Sequence, residues 1–98
     1  MKNIVIVATI KVKKGFKNEV YNELLKLHKA THEFDEGCIQ YDLHKDLSGE
    51  DSFTFIETWK NQEFLFLHET KEHFKNFVSI IENKIDSLTI NKLEKLEI

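Results

Sequence analysis

The segment from Thr58 to Phe77, TWKNQEFLFLHETKEHFKNF, places the chain's single tryptophan beside two histidines and several phenylalanines. An imidazole changes charge near neutral pH, so a histidine among aromatic rings is the natural candidate for moving a proton. His68 follows Phe64 by four positions and on a helix would share its face, pointing toward whatever packs beneath. From the residues alone it is either a half-buried histidine satisfied by a backbone carbonyl or a base at the edge of a pocket. Upstream, Phe55, Glu57 and Trp59 alternate along a strand-like run and face one side. Glu57 is the odd member, because an unpaired carboxylate among aromatic rings is costly to bury. It is expected either to pair across a subunit interface, with a lysine for example, or to orient a histidine. Trp59 offers core packing or a stacking wall for a flat ligand, and the Tyr41 hydroxyl can reach a ligand or a solvent edge.

Other chemistries find less support. His28 and His32 stand four apart, a spacing that can hold a metal on one helix face, but no H-E-x-x-H pattern follows and no third ligand is evident. They read as a solvated or pocket-rim pair, and His44 and His73 as surface residues. No metal site is expected. Cys38 is the only cysteine, with no neighbour to activate its thiolate. The chain has no Gly-rich phosphate loop and no nucleophile elbow.

These side chains need elements to hold them. Ile4 to Val12 alternates Ile4, Ile6, Ala8, Ile10 and Val12 against Val5, Val7, Thr9 and Lys11, a strand apolar on both faces. A helix is expected from about Phe16 to Glu33, with Val20, Leu24, Leu27 and Thr31 as its inner stripe. Gly37 suits a helix-terminating position, and Cys38 to Asp46 reads as a strand. A turn over Leu47-Ser48-Gly49-Glu50-Asp51 leads to a partner strand, Ser52 to Trp59. Asn61 is a good N-cap for a helix over Gln62 to Glu69. A second helical stretch runs from Thr70 to about Asn83, and a last strand from Ser87 to Ile98. The order β-α-β-β-α-β builds an α+β, ferredoxin-like domain, an antiparallel sheet with its helices on one face.

At 98 residues the chain has room for one domain, 1–98, with a two-layer core. Its hydrophobic share of 41% is that of a globular protein, and its net charge of −3 provides no basic field for nucleic acid or an anionic membrane. The longest apolar run, Ile4 to Ala8, is too short to cross a bilayer and reads as a strand rather than a leader. With one cysteine the expectation is a reducing, cytoplasmic location. Helices on one face leave the other apolar face of the first strand uncovered, so a homodimer through the sheet face is expected.

Glu36-Gly37-Cys38 leading to Tyr41, then Glu57-x-Trp59, His68 and His73-Phe74, resemble the antibiotic biosynthesis monooxygenase family over nearly the whole chain. The resemblance implies a dimeric α/β barrel with a pocket between sheet and helices in each subunit. Several members oxidise quinols, anthrones or similar aromatics with molecular oxygen and neither metal nor flavin. The expected function is therefore a cofactor-independent monooxygenase of a quinol-like or polycyclic aromatic substrate. His68 is the expected base, and Trp59, Tyr41, Glu57, Phe55 and Phe64 surround the substrate. One branch of the family degrades haem, using an asparagine on the first strand and a tryptophan and histidine on the last helix. The corresponding places here hold Ala8, His68 and a position near Val78, which do not match. Another branch isomerises a phosphorylated metabolite related to autoinducer-2. That isomerase, and a noncatalytic small-molecule-binding dimer, are the alternatives.

Overall fold

In the computed structural model, which describes residues 3–48 and 51–98, the chain runs β1 (Ile4–Val12), α1 (Lys17–Phe34), β2 (Cys38–Lys45) and β3 (Ser52–Trp59). It continues through α2 (Gln62–Thr70), α3 (Glu72–Ile81) and β4 (Ile85–Glu94). The four strands form one antiparallel sheet in the order β2-β3-β1-β4. This is the ferredoxin-like arrangement. The expected turn between the hairpin strands includes Gly49 and Glu50, which lie outside the described residues.

The alternation in β1 decides which face is core. Ile6, Ala8, Ile10 and Val12 are buried beneath the helices, while Val5, Val7 and Thr9 occupy the open face. On β3 the register places Phe53, Phe55, Glu57 and Trp59 on the helix side, all buried. Helix α1 answers with Val20, Leu24, Leu27 and Thr31, all buried as the stripe required. Each large apolar side chain taken fully from water contributes roughly 1.5–3 kcal/mol, so this two-layer contact is the main stabilising term.

The second helical region is two helices. Asn61 accepts from the Phe64 backbone N–H at 3.1 Å and starts α2. Lys71 then takes an extended conformation, φ −70 and ψ 148, and α3 begins beyond it. This break turns the chain enough for Leu65 and His68 of α2, and Phe77 and Ile81 of α3, to reach the same core. Two boundaries differ from expectation. β4 starts two residues earlier and ends at Glu94, short of Ile98, because only Ile85 to Glu94 can pair with β1. Gly37 does not cap α1, whose C-cap is Asp35. Its φ of +76 belongs to the turn into β2, where a side chain would fall inside the Phe64 ring.

Candidate active site

His68 is held by a carboxylate that motif reading passes over. The first helix ends at Asp35, whose backbone N–H closes the last turn on the Thr31 carbonyl. A carboxylate at a helix C-terminus faces the negative end of the helix dipole, an unfavourable place unless hydrogen-bond donors or a cation surround it. Here both do. His68 Nδ1 lies 2.5 Å from Asp35 Oδ2, His73 Nε2 lies 3.1 Å from the same oxygen, and Lys71 Nζ lies 3.6 Å from Oδ1. Lys71 also donates to the Phe34 carbonyl at 3.0 Å, which ties the α2–α3 break to the end of α1. The carboxylate is 1% exposed and the His68 side chain 2%.

The His68 ring sits among Trp59, Phe74 and Tyr41, at centroid distances of 4.6, 4.9 and 5.4 Å. Burial lowers its pKa below 6.5, and the hydrogen bond and charge of Asp35 oppose that fall only in part. The imidazole is therefore neutral at physiological pH. With Nδ1–H donated to Asp35, the lone pair rests on Nε2, which has no hydrogen-bond partner among the described residues. Carboxylate, imidazole and free nitrogen form the arrangement of an oriented general base.

His68 belongs to the wall of a cavity of about 60 Å³ between the sheet and the helices. Tyr41, Phe55, Glu57, His68 and Glu69 line it together with apolar residues of β1, α1, α2, α3 and β4, and no lysine or arginine is among them. Glu57 is 5% exposed. Its Oε1 accepts from Trp59 Nε1 at 2.9 Å, and burial raises its pKa to about 7. Burial likewise raises the Tyr41 phenol well above 10, so its hydroxyl keeps its proton. On the far side, Leu88 and Ile90 of β4 are 44% and 53% exposed, because the helices do not cover this edge strand.

The structure thus brings His68, Tyr41, Glu57 and Phe55 around one space. It does not bring Trp59 and Phe64 to the wall. Trp59 is 0% exposed, against the His68 ring, and serves as the donor that fixes Glu57. Phe64 lies over the Gly37 backbone. Glu57 is on the helix-covered face, so it cannot pair across the open sheet face, and its partner is an indole rather than a lysine or histidine. His73, read as a surface residue, is half-buried on Asp35. Of His28 and His32, with rings 4.3 Å apart, only His28 lies at a rim, and not that of the cavity. His28 lines a separate surface groove of about 640 Å³ with Tyr21, His44 and Lys45, while His32 Nε2 bonds the Tyr41 carbonyl at 2.9 Å. Burial raises the Cys38 thiol to about 11, so it carries no thiolate chemistry.

The ligand atoms of Asp35, His68 and His73 lie within 4.8 Å of one another, a spacing that a divalent cation can use. The group does not fit one well. Its contacts are already hydrogen bonds to one shared carboxylate oxygen, and the Lys71 ammonium faces the other. A cation there must displace those bonds and meet a like charge.

A small ferredoxin-like domain with a buried, carboxylate-bound histidine on the wall of a cavity narrows the class, and comparison with known proteins gives the family. The chain belongs to the antibiotic biosynthesis monooxygenase family, whose model matches residues 3–79. It is 34% identical over 76 residues to the Bacillus subtilis (strain 168) protein named "Putative monooxygenase YcnE", covering 78% of this chain and 79% of that one. Among solved structures, PA3566 from Pseudomonas aeruginosa matches with a TM-score of 0.90 at 31% identity, covering 99% and 97% of the two chains. A conserved protein from Methanosarcina mazei Go1 matches with a TM-score of 0.90 at 30% identity, covering 98% and 95%.

Proposed function

We propose that this chain is a cofactor-independent monooxygenase that oxidises a small, uncharged quinol-like or anthrone-like aromatic with molecular oxygen. The observation that carries the reading is the Asp35-oriented His68 on the wall of an apolar cavity that has no lysine or arginine. Nε2 removes a proton from a ring carbon or hydroxyl, and the imidazolium that forms is stabilised by the Asp35 carboxylate. For a methylene substrate, the resulting anion passes electrons to oxygen and forms a carbon–oxygen bond. His68 returns its proton to the distal oxygen. Loss of water, with the second methylene proton, leaves a carbonyl. One oxygen atom ends in the product and the other in water.

The lining argues against the phosphorylated substrate of the isomerase alternative, which calls for cations on the wall. Ala8, at the place where the haem branch carries an asparagine, and Val78, near another of its positions, contribute only apolar surface. At about 60 Å³ the cavity has room for only a few waters, whereas pockets for drug-sized ligands run to about 300–1,000 Å³. Entry of a ring therefore parts α3 from β4 at Val78, Leu88 and Ile90. A second copy of the chain covers the open face of Val5, Val7 and Ile56, and the protein works in the cytoplasm.

The test is oxygen uptake by chelator-treated protein offered a panel of hydroquinones and anthrones under isotopically labelled oxygen. One labelled atom in the product for each oxygen molecule consumed is the expected result. Rearrangement of a substrate without oxygen uptake contradicts the reading.

A further inference from the structure

Glu57 is a buried carboxyl group that proton removal by His68 does not use. Among the described residues it has no cationic partner, and one of its oxygens is already engaged by the Trp59 indole. The carboxyl lines the same cavity as His68, contributed by β3 from below while His68 comes from α2 above. A carboxylate without a counter-ion in such a place is strongly disfavoured relative to the neutral acid.

We propose that Glu57 is a second catalytic residue, a neutral carboxylic acid that donates a hydrogen bond to a phenol or ketone oxygen of the aromatic ligand. The inference rests on the proposed proton removal by His68 and identifies what the cavity recognises: an oxygen-bearing ring. When His68 Nε2 takes the substrate proton, the electron pair left behind moves onto that oxygen. The proton of Glu57 stays on Glu57 and stabilises the new charge where water is excluded. Base and acid thus face each other across one cavity, and their environments set their proton affinities apart.

The surroundings favour the neutral form. Tyr41 and Cys38 approach from β2, and both keep their protons. His68 and Glu69 approach from α2, with Asp35 behind His68, and the Glu69 charge further disfavours a Glu57 anion. β1 presents Ile6 and α3 presents Phe74, both apolar. Lys92 of β4 shares the sheet row of Glu57 but stands one strand beyond Ile6. Trp59 donates to the carboxyl and pulls in the other direction, yet burial outweighs it and leaves the group titrating at about 7.

The chain's single tryptophan makes the test specific, because the Trp59 indole N–H gives one resonance and touches Glu57 directly. That resonance is expected to shift with pH through a transition near 7, and the transition is expected to vanish in Glu57→Gln. Naphthol, offered without oxygen, serves as a ligand that cannot complete the reaction. Its affinity is expected to fall up to about tenfold between pH 6 and pH 8 in the parent and less than threefold in Glu57→Gln, which remains a neutral donor. An indole transition near the ordinary carboxylate value, or naphthol affinity that is absent or independent of pH in the parent, overturns the inference. If both transitions appear but oxygen is never consumed, the Glu57 hydrogen bond to the ligand stands and the monooxygenase reading fails. If oxygen is consumed without either transition, the reverse holds.

Discussion

Asp35→Asn is the substitution that most sharply separates an oriented base from a merely buried histidine. The side chain is 1% exposed, and both histidines bond the same oxygen. An amide can keep its carbonyl toward them, so both histidine hydrogen bonds can survive; its NH2 then faces the Lys71 ammonium, donor against donor, and that contact is lost with the charge. The missing charge matters when His68 becomes an imidazolium. Two unit charges about 4 Å apart at an effective dielectric of about 20 interact by roughly 4 kcal/mol. At about 1.4 kcal/mol per decade this is nearly three decades of rate, so turnover is expected to fall about 10²–10³-fold. The His68 pKa is expected to move further down, because burial lowers it and Asp35 is what holds it up. The acid limb of the pH–rate profile therefore shifts to lower pH while the plateau drops. Oxygen-electrode rates from pH 4 to 9, with Trp59 fluorescence as the check on folding, measure both. A variant with the parent's plateau, or with an acid limb moved upward, refutes the role given to Asp35.

Further expectations follow from the same geometry. Gly37→Ala adds a positive-φ penalty of roughly 1–2 kcal/mol and drives a methyl group into Phe64, so thermal unfolding should drop by about 10 °C or more. Glu57, raised from 4.5 to about 7, favours the folded state fully below pH 4.5 and loses that contribution as pH rises through 7. At about 1.4 kcal/mol per pH unit the loss is roughly 3 kcal/mol, and urea titrations at pH 5 and pH 8 should show it in the parent but not in Glu57→Gln. Trp59→Phe removes the donor that restrains Glu57, so the stability loss should shift to higher pH in the same titrations. Sedimentation at micromolar concentration should give about twice the 11.6 kDa chain mass if a second copy covers the open sheet face. A single-chain mass would remove that element of the proposal.

Most of the scaffold was legible because it rests on periodicity. The two-residue repeat of β1, the helical stripe Val20-Leu24-Leu27-Thr31 and the Asn61 cap each state a local preference that tertiary packing leaves intact. The ends of β4 were not legible, since pairing with β1 rather than composition stops the strand at Glu94. In the site, His68 was found because it shares a helix face with core residues and stands among aromatic rings. Asp35 was missed because its partners lie more than thirty positions away in sequence. One local signal was present: an acid at a helix C-terminus opposes the helix dipole and needs compensation from elsewhere. Trp59 was assigned to the wall because strand alternation gives its face but not its depth. Alternation cannot say that the indole is fully buried against the His68 ring.

The most direct test of the central claim is oxygen uptake by His68→Asn on the best substrate found for the parent. Asparagine keeps a polar side chain of similar reach that can still bond Asp35, but it cannot take a proton. A general base contributes typically ~10²–10⁴-fold, so turnover and oxygen consumption should fall together by that factor while circular dichroism stays that of the parent. A folded His68→Asn protein that consumes oxygen at the parental rate contradicts the account.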